Sequence, residues 1–352
     1  MGAVCWARFP LVSRSPHARS WLTIQVDRQL AVNTIATYGR ALEEYLDFCE
    51  VNRVVAEMAG QAQVSAYVRH LTERPHPRPV PRHGHAPQPG LANATLQLKL
   101  TVVRLYYTYL VEEGVRPTNP VRRGAARPGT MRSGAGTRGV LARVQSLPWI
   151  PSDDEFRAIL TAAREEPLRN QYMLLLAYHC ALRREELCGL TLADVRLEPR
   201  EVRVRAESTK GGRERIIPYS DVLDPWYAAY LRHRRTLSHE TGPLFLSESR
   251  RNYAQPLTIW TWSHVVARLA ARAALPQFST HTLRHLRLTD LARSGWDLHA
   301  IALFAGHRRT ETTMRYIHRS GRELADKLAV TMAEIHAWRS MQMAQMLAGP
   351  AR

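Results

Sequence analysis

The sequence predicts a mainly α-helical protein carrying a small antiparallel β-sheet, an α+β arrangement split between two domains. Three observations lead there. Apolar residues recur at helical spacing through most of the chain, as in Ile35, Tyr38, Leu42, Tyr45, Leu46 and Cys49. Two short segments alternate with a period of two instead, Val202-Arg203-Val204-Arg205 and Arg215-Ile216-Ile217, with Lys210-Gly211-Gly212 in the turn region between them. Residues 121–146 are rich in Arg, Gly and Pro and hold few large apolar side chains, so they cannot pack a core and divide the chain.

Taken in order, residues 1–20 read as a flexible leader. They lack the long apolar core of a signal peptide. Residues 21–120 form a helical domain. Thr34 is placed to cap its first long helix, and a second helix fits Val64 to Leu71. The run Arg74-Pro75-His76-Pro77-Arg78-Pro79-Val80-Pro81 then dictates an extended basic loop that continues to Pro89-Gly90. Asn93 opens a long amphipathic helix through Leu98, Val102, Leu105, Tyr106 and Leu110, which Gly114 and Pro117 stop. Beyond the linker at 121–146, residues 147–352 form the second domain. Ser152 with Glu155 three residues on is a capping box. An apolar helix spans Tyr172 to Leu182, the two strands follow, and helices are expected at Ile259–Ala274, His281–Arg293 and Asp297–Phe304. A short helix holds Tyr316, and Leu324–Met346 closes the chain.

Charge narrows the function. Of 352 residues, 49 are Lys or Arg and 31 are Asp or Glu, a net +18. Such an excess favours a polyanionic partner through counterion release, without separating DNA from RNA or an anionic membrane. The basic residues are mostly Arg, whose planar fork grips phosphate, although a genome rich in G and C also raises Arg. Cys5, Cys49, Cys180 and Cys188 form no CxxC pair, which argues against a disulfide framework or a structural zinc site and for a reducing compartment, the cytoplasm. No apolar run reaches the ~20 residues needed to span a bilayer.

Five segments carry side chains suited to chemistry. Arg183, in Ala181-Leu182-Arg183-Arg184-Glu185-Glu186-Leu187, follows an apolar helix, where a charge is costly unless paired. Lys210 sits at a glycine-containing hairpin tip. His281 and Arg284, in His281-Thr282-Leu283-Arg284-His285, are three apart and share a helix face. His281 and His285 are four apart, but no carboxylate or thiolate completes a zinc-like pattern, so no metal is expected. His307 follows Ala305-Gly306 at a helix end, and Tyr316 lies in Thr312-Thr313-Met314-Arg315-Tyr316-Ile317-His318. Taken singly, each is more often structural: an ion pair, a solvated turn, a half-buried tyrosine.

Their order and spacing are more specific. The sequence resembles the tyrosine recombinase (phage integrase) family, whose catalytic domain carries an Arg in a GLRxxEL stretch, a Lys in a β-hairpin, an HxLRH stretch, a GH, and a Tyr nine residues after that His. Here these are Arg183, Lys210, His281 to His285, Gly306-His307 and Tyr316. The resemblance covers about residues 147–320. It extends weakly over residues 20–120, which look like the family's helical, SAM-like core-binding domain, including Asn119-Pro120. Two departures stand out: Cys180-Ala181 where the family often has Thr-Gly, and Ala305 where it often has Leu.

The resemblance implies a site-specific DNA recombinase or integrase that needs neither cofactor nor metal. Tyr316 would attack the phosphorus, form a 3′-phosphotyrosyl link and release a 5′-hydroxyl. Arg183 and Arg284 would clamp the non-bridging oxygens. His307 would add a hydrogen bond to them, His281 would take the tyrosine proton, and Lys210 would protonate the leaving oxygen. Glu186 reads as a support for Arg183 or the histidine, and His285 as structural. Tyr38, Arg40, Arg74, Arg78 and Arg82 in the first domain, and Arg122 and Arg123 in the linker, are expected at DNA. The implied partners are double-stranded recombination sites and a homotetramer on DNA, with room for an accessory directionality factor and no membrane. The segment Leu328–Leu347 docks either on a neighbouring protomer or on its own domain. The lack of a large extra N-terminal domain points to a simpler recombinase or one of a mobile element or prophage. The rival readings are a non-catalytic architectural DNA-binding protein, a type IB topoisomerase-like relaxing enzyme and, least supported, a metallohydrolase.

Overall fold

The computed structural model describes residues 4–74, 90–121, 148–209, 212–307 and 313. The chain divides into two compact units, Met1–Ser146 and Leu147–Arg352.

The first unit is helical: α1 (Pro10–Arg14), α2 (Pro16–Asp27), α3 (Val32–Val51), α4 (Gln61–Glu73) and α5 (Asn93–Glu112). The expected leader is largely ordered. Pro10 and Pro16 each sit in the first helical turn, where their fixed φ suits a helix and no N–H is missed, and Ser15 accepts from the Ala18 N–H to cap α2. Phe9, Val12 and Ala18 are buried with the rest of the core, and the Leu11 and Val12 N–H groups donate to Glu43 at 2.8 and 2.9 Å. These contacts hold the segment down. The helix expected after Thr34 starts earlier: Ala31 stands at its N-cap and the Thr34 N–H donates to the Ala31 carbonyl. The other boundaries follow the periodicity, with Gly114 in the left-handed conformation just past α5.

Aromatic rings fill this unit's core. Trp21, Tyr45, Tyr67, Tyr106 and Tyr107 are all fully buried. Two of the buried hydroxyls, those of Tyr45 and Tyr107, are joined in a hydrogen-bonded chain. Tyr107 donates to the Ala56 carbonyl at 2.7 Å, so the Tyr45–Tyr107 contact of 2.5 Å has Tyr45 as its donor.

The second unit contains α6 (Asp153–Ala163), α7 (Leu168–His179), α8 (Arg184–Cys188), β1 (Val195–Arg196), β2 (Glu201–Val204), β3 (Arg215–Pro218), α9 (Asp224–Leu237), α10 (Ile259–Arg272), α11 (Thr282–Arg293) and α12 (Leu298–Ala305). The strands form an antiparallel sheet in the order β1-β2-β3, with Val202 opposite Ile217 and Val204 opposite Arg215. Helix α7 is the central element. Its residues Met173, Leu176 and Ala177 are buried, and it packs on α9 and α11. No described helix is long and apolar enough to cross a membrane.

Helix α6 begins as its sequence dictates. The Ser152 hydroxyl accepts from the Glu155 N–H, and the Glu155 carboxylate accepts from the Ser152 N–H at 2.8 Å. Replacing such a cap costs about 1 kcal/mol. Ser152→Ala is therefore expected to destabilise the second unit by that amount in urea unfolding, with the m-value unchanged.

Candidate active site

The site is assembled from four places in the second unit: the start of α8, strand β3, the start of α11, and the residues closing α12. Its centre is Glu186. This carboxylate is fully buried, and the cost of burying it is offset only by cations and donors brought to it. Arg215 makes a two-pronged pair with it, Nη1 to Oε1 at 3.0 Å and Nη2 to Oε2 at 2.7 Å. Arg183 donates twice as well, its backbone N–H to Oε2 at 2.9 Å and its Nη1 to Oε1 at 2.7 Å. Burial pushes the Glu186 pKa up, but the bonds from Arg215 and Arg183 outweigh it and hold the group down at about 2. One carboxylate thus fixes two guanidinium groups. The Arg183 side chain stays about a quarter exposed.

Arg215 was not among the expected site residues. It reaches further than Glu186, donating through Nε to the Phe304 carbonyl at 3.1 Å, and so ties β3 to the end of α12. The alternation of the strand held the signal: Arg215 shares its phase with Ile217, which is buried, while Ile216 is exposed. An arginine in phase with a core residue requires a carboxylate.

Arg284, in the first turn of α11, is buried. Its Nη1 donates to the Ala181 carbonyl at 2.6 Å and its Nη2 to the Ala305 carbonyl at 2.5 Å. Both acceptors lie at helix ends, where backbone carbonyls lack intrahelical donors. The two ends close alike. Ala181 (φ 47°) and Gly306 (φ 64°) are left-handed, and the next N–H bonds back into the last turn: Leu182 to the Ala177 carbonyl and His307 to the Ala302 carbonyl. Ala181 bears a strain that glycine would avoid, and its methyl is buried in the core in return. At Gly306 a side chain would crowd Arg215: a Cβ would lie 3.0 Å from its Cδ and 3.1 Å from its Nη1.

His307 follows directly. Its Nε2 lies 3.0 Å from Arg284 Nη2 and its Nδ1 2.8 Å from the Thr313 hydroxyl. Burial first, then the charges of Arg284, Arg183 and Arg215, hold its pKa down at about 3. Glu186 joins Arg183 to Arg215, Arg215 lies against Gly306, and the next residue, His307, meets Arg284, so the three arginines lie around one space.

His281 is the N-cap residue of α11, with its side chain at the surface, and packed neighbours together with Arg284, Arg184 and Arg183 keep its pKa below the ordinary histidine value. The His281 and His285 rings lie 6.4 Å apart. Lys210 and Tyr316 lie outside the described residues, as do Arg78, Arg82, Arg122 and Arg123. Of the other residues expected at DNA, Tyr38 is half-buried and stacks on Trp21 at 5.9 Å, Arg40 is exposed, and Arg74 pairs with Glu44 at 3.0 Å.

The Phage integrase family model matches residues 151–323, and the model of the Phage integrase N-terminal SAM-like domain matches residues 19–114. Tyrosine recombinase XerD of Caulobacter vibrioides is 30% identical over 308 residues, which cover 85% of this chain and 90% of the relative. Tyrosine recombinase XerC of Pelobacter propionicus is 30% identical, over 84% of this chain and 88% of its own. Among solved structures, XerH site-specific recombinase bound to palindromic difH substrate superposes with a TM-score of 0.63 at 18% identity, over 86% of this chain and 81% of that one. A lambda integrase dimer bound to a COC′ core site gives 0.61 at 18% identity, over 87% and 95%.

Two outcomes are expected from the geometry. Gly306→Ala adds left-handed strain and crowds Arg215, so denaturant unfolding is expected to show a loss of about 2 kcal/mol. Glu186 has a folded pKa of about 2, below its unfolded value of about 4.3. Its stabilisation is present above the unfolded pKa and is lost as pH falls through that interval. Glu186→Gln is expected to cost about 3 kcal/mol at neutral pH, and to flatten the acid limb of a stability-versus-pH curve between about 4.3 and about 2.

Proposed function

The chain belongs to the phage integrase family of tyrosine recombinases, and on that premise we propose that it cleaves and rejoins DNA at specific sites through a 3′-phosphotyrosyl link to Tyr316. The observation that carries the reading is the hydrogen-bonded network that joins Arg183 to Arg215 through Glu186 and Arg284 to His307. The Arg284 contact to the Ala181 carbonyl spans 103 residues of sequence, so the fold, and not local sequence, assembles the cluster. A cluster of several fixed cations around one buried carboxylate suits a group that gains negative charge at the transition state, as a phosphodiester under attack does.

In this reading Tyr316 attacks phosphorus, the 5′-oxygen leaves, and the new phosphotyrosyl bond keeps the energy of the one broken. Arg183 and Arg284 hold the non-bridging oxygens. Glu186 and Arg215 position Arg183. His281, whose pKa is lowered, is the neutral base at physiological pH and takes the tyrosine proton. Lys210 supplies a proton to the leaving oxygen. Attack by a second 5′-hydroxyl reverses the step and completes strand exchange. No metal and no ATP enters. The reading extends to a homotetramer on paired duplex sites in the cytoplasm, serving a mobile element or prophage. The net charge of +18 supports the DNA partner.

The test is covalent trapping. Wild type and Tyr316→Phe are incubated in chelator with nicked duplexes carrying candidate sites, then run on denaturing gels. A slow protein–DNA band that forms with wild type and not with the phenylalanine variant is expected. Salt-sensitive binding with no such band on any duplex would overturn the reading in favour of a DNA-binding protein without cleavage.

A further inference from the structure

Two arginines stand side by side at the start of α8, and their bonds give them different work. Among the described residues, the Arg183 side chain gives only Nη1 to another group, the Glu186 carboxylate. Arg184 has all three of its nitrogens engaged. Nε and Nη2 donate to Glu185 Oε1 at 3.2 and 2.7 Å, and Nη1 donates to the Ser263 hydroxyl of α10 at 3.1 Å. That hydroxyl spends its own proton on the Ile259 carbonyl at 2.9 Å, so it meets Arg184 with a lone pair. The Arg184 guanidinium also lies over the Trp260 ring of α10, 5.8 Å from its centre.

Helix α8 is five residues long. That is well short of the roughly 12–15 residues at which a helix becomes stable by itself. Its direction is therefore set by what holds it. The Glu186–Arg215 pair holds its buried side to β3, and Arg205, just past β2, donates to the Gly189 carbonyl at its end at 2.6 Å. At its first residue the hold is Arg184.

We propose that Arg184 is a positioning residue: by bracing the first turn of α8 against Ser263 and Trp260 of α10, it sets where the neighbouring Arg183 presents its remaining nitrogens to the phosphate. This deepens the reading of the site as a recombinase centre and rests on it for its catalytic consequence. The brace itself stands on the hydrogen bonds and the ring contact alone. Glu185 answers the charge of Arg184, and α10 takes its remaining nitrogen, so Arg184 supplies orientation and not a phosphate contact. A lysine would keep the charge at this position but could not fork to Glu185, reach Ser263 and cover the ring at once.

Amide hydrogen exchange in the full-length protein, free of DNA, tests the brace. Arg184→Lys and Ser263→Ala both leave the net charge as it is. Each is expected to speed exchange in residues 184–189 with little change in melting temperature. Exchange at the wild-type rate in both variants would overturn the proposal. Single-turnover covalent trapping on a nicked duplex tests the consequence. Arg184→Lys is expected to form the complex about tenfold more slowly, the cost of a slightly misplaced clamp, at unchanged DNA affinity. Ser263→Ala is expected to slow it less, and the double variant no more than Arg184→Lys alone, because both changes remove one shared contact. Additive losses, an unaltered rate, or a loss carried by weaker DNA binding would refute the positioning role, the last by making Arg184 a DNA contact. Failure of the wild type to form any complex would count against the recombinase reading and the catalytic half with it, and exchange at α8 would still decide the brace.

Discussion

The buried carboxylate of Glu186 is the constraint on which the second unit depends. A carboxylate in a protein interior persists as an anion only if donors replace the water it has lost. Glu186 takes four hydrogen bonds, two from Arg215 and two from Arg183, counting the backbone N–H that starts α8. Each bond fixes an element. The pair with Arg215 sets the strand β3 against α8, and the remaining Nε of Arg215 holds the end of α12. One negative charge shared by two positive ones leaves the cluster cationic. That surplus lets Arg183 be held firmly without being neutralised.

Arg284 is held by a different device to the same end. The carbonyls of Ala181 and Ala305 satisfy its hydrogens and carry partial negative charge, but no net charge. Two helix ends must therefore turn at the right places. Both do so through a left-handed residue, and the one at Gly306 also leaves room for Arg215. A single glycine thus serves the backbone turn and the packing of the second arginine at once, which neither a larger residue nor a different turn would allow.

Much of this could be read from the sequence. Arg183, Arg284 and His307 were legible through the order and spacing that resemble the family, and Glu186 as a support through what that resemblance implies. Arg215 was missed since an alternating segment of three residues, Arg215-Ile216-Ile217, does not reveal which isoleucine faces the core. Only pairing of Ile217 with the buried Val202 settles the phase. The partner of His307 was equally hidden: a hydroxyl six residues away is one of many in a Thr-rich run until the chain is folded. In the first unit, Pro10 and Pro16 carry a helix-start signal that the lack of a long apolar run masks, and Phe9 and Val12 belong to the core.

Three guanidinium groups around one imidazole repel each other, and the fold tolerates this because Glu186 and the helix-end carbonyls absorb part of the field. The part that remains is visible at His307, whose pKa is held near 3 by burial and then by Arg284, Arg183 and Arg215. The part of that shift that comes from the arginines marks a place where another positive charge is unwelcome and a negative one is stabilised. The same field that denies His307 a second proton therefore favours a phosphate, and favours it more as charge builds up on the oxygens during attack. Burial first and the arginines after it keep His307 neutral, and an imidazolium there would stand against Arg284 as well as against its buried surroundings.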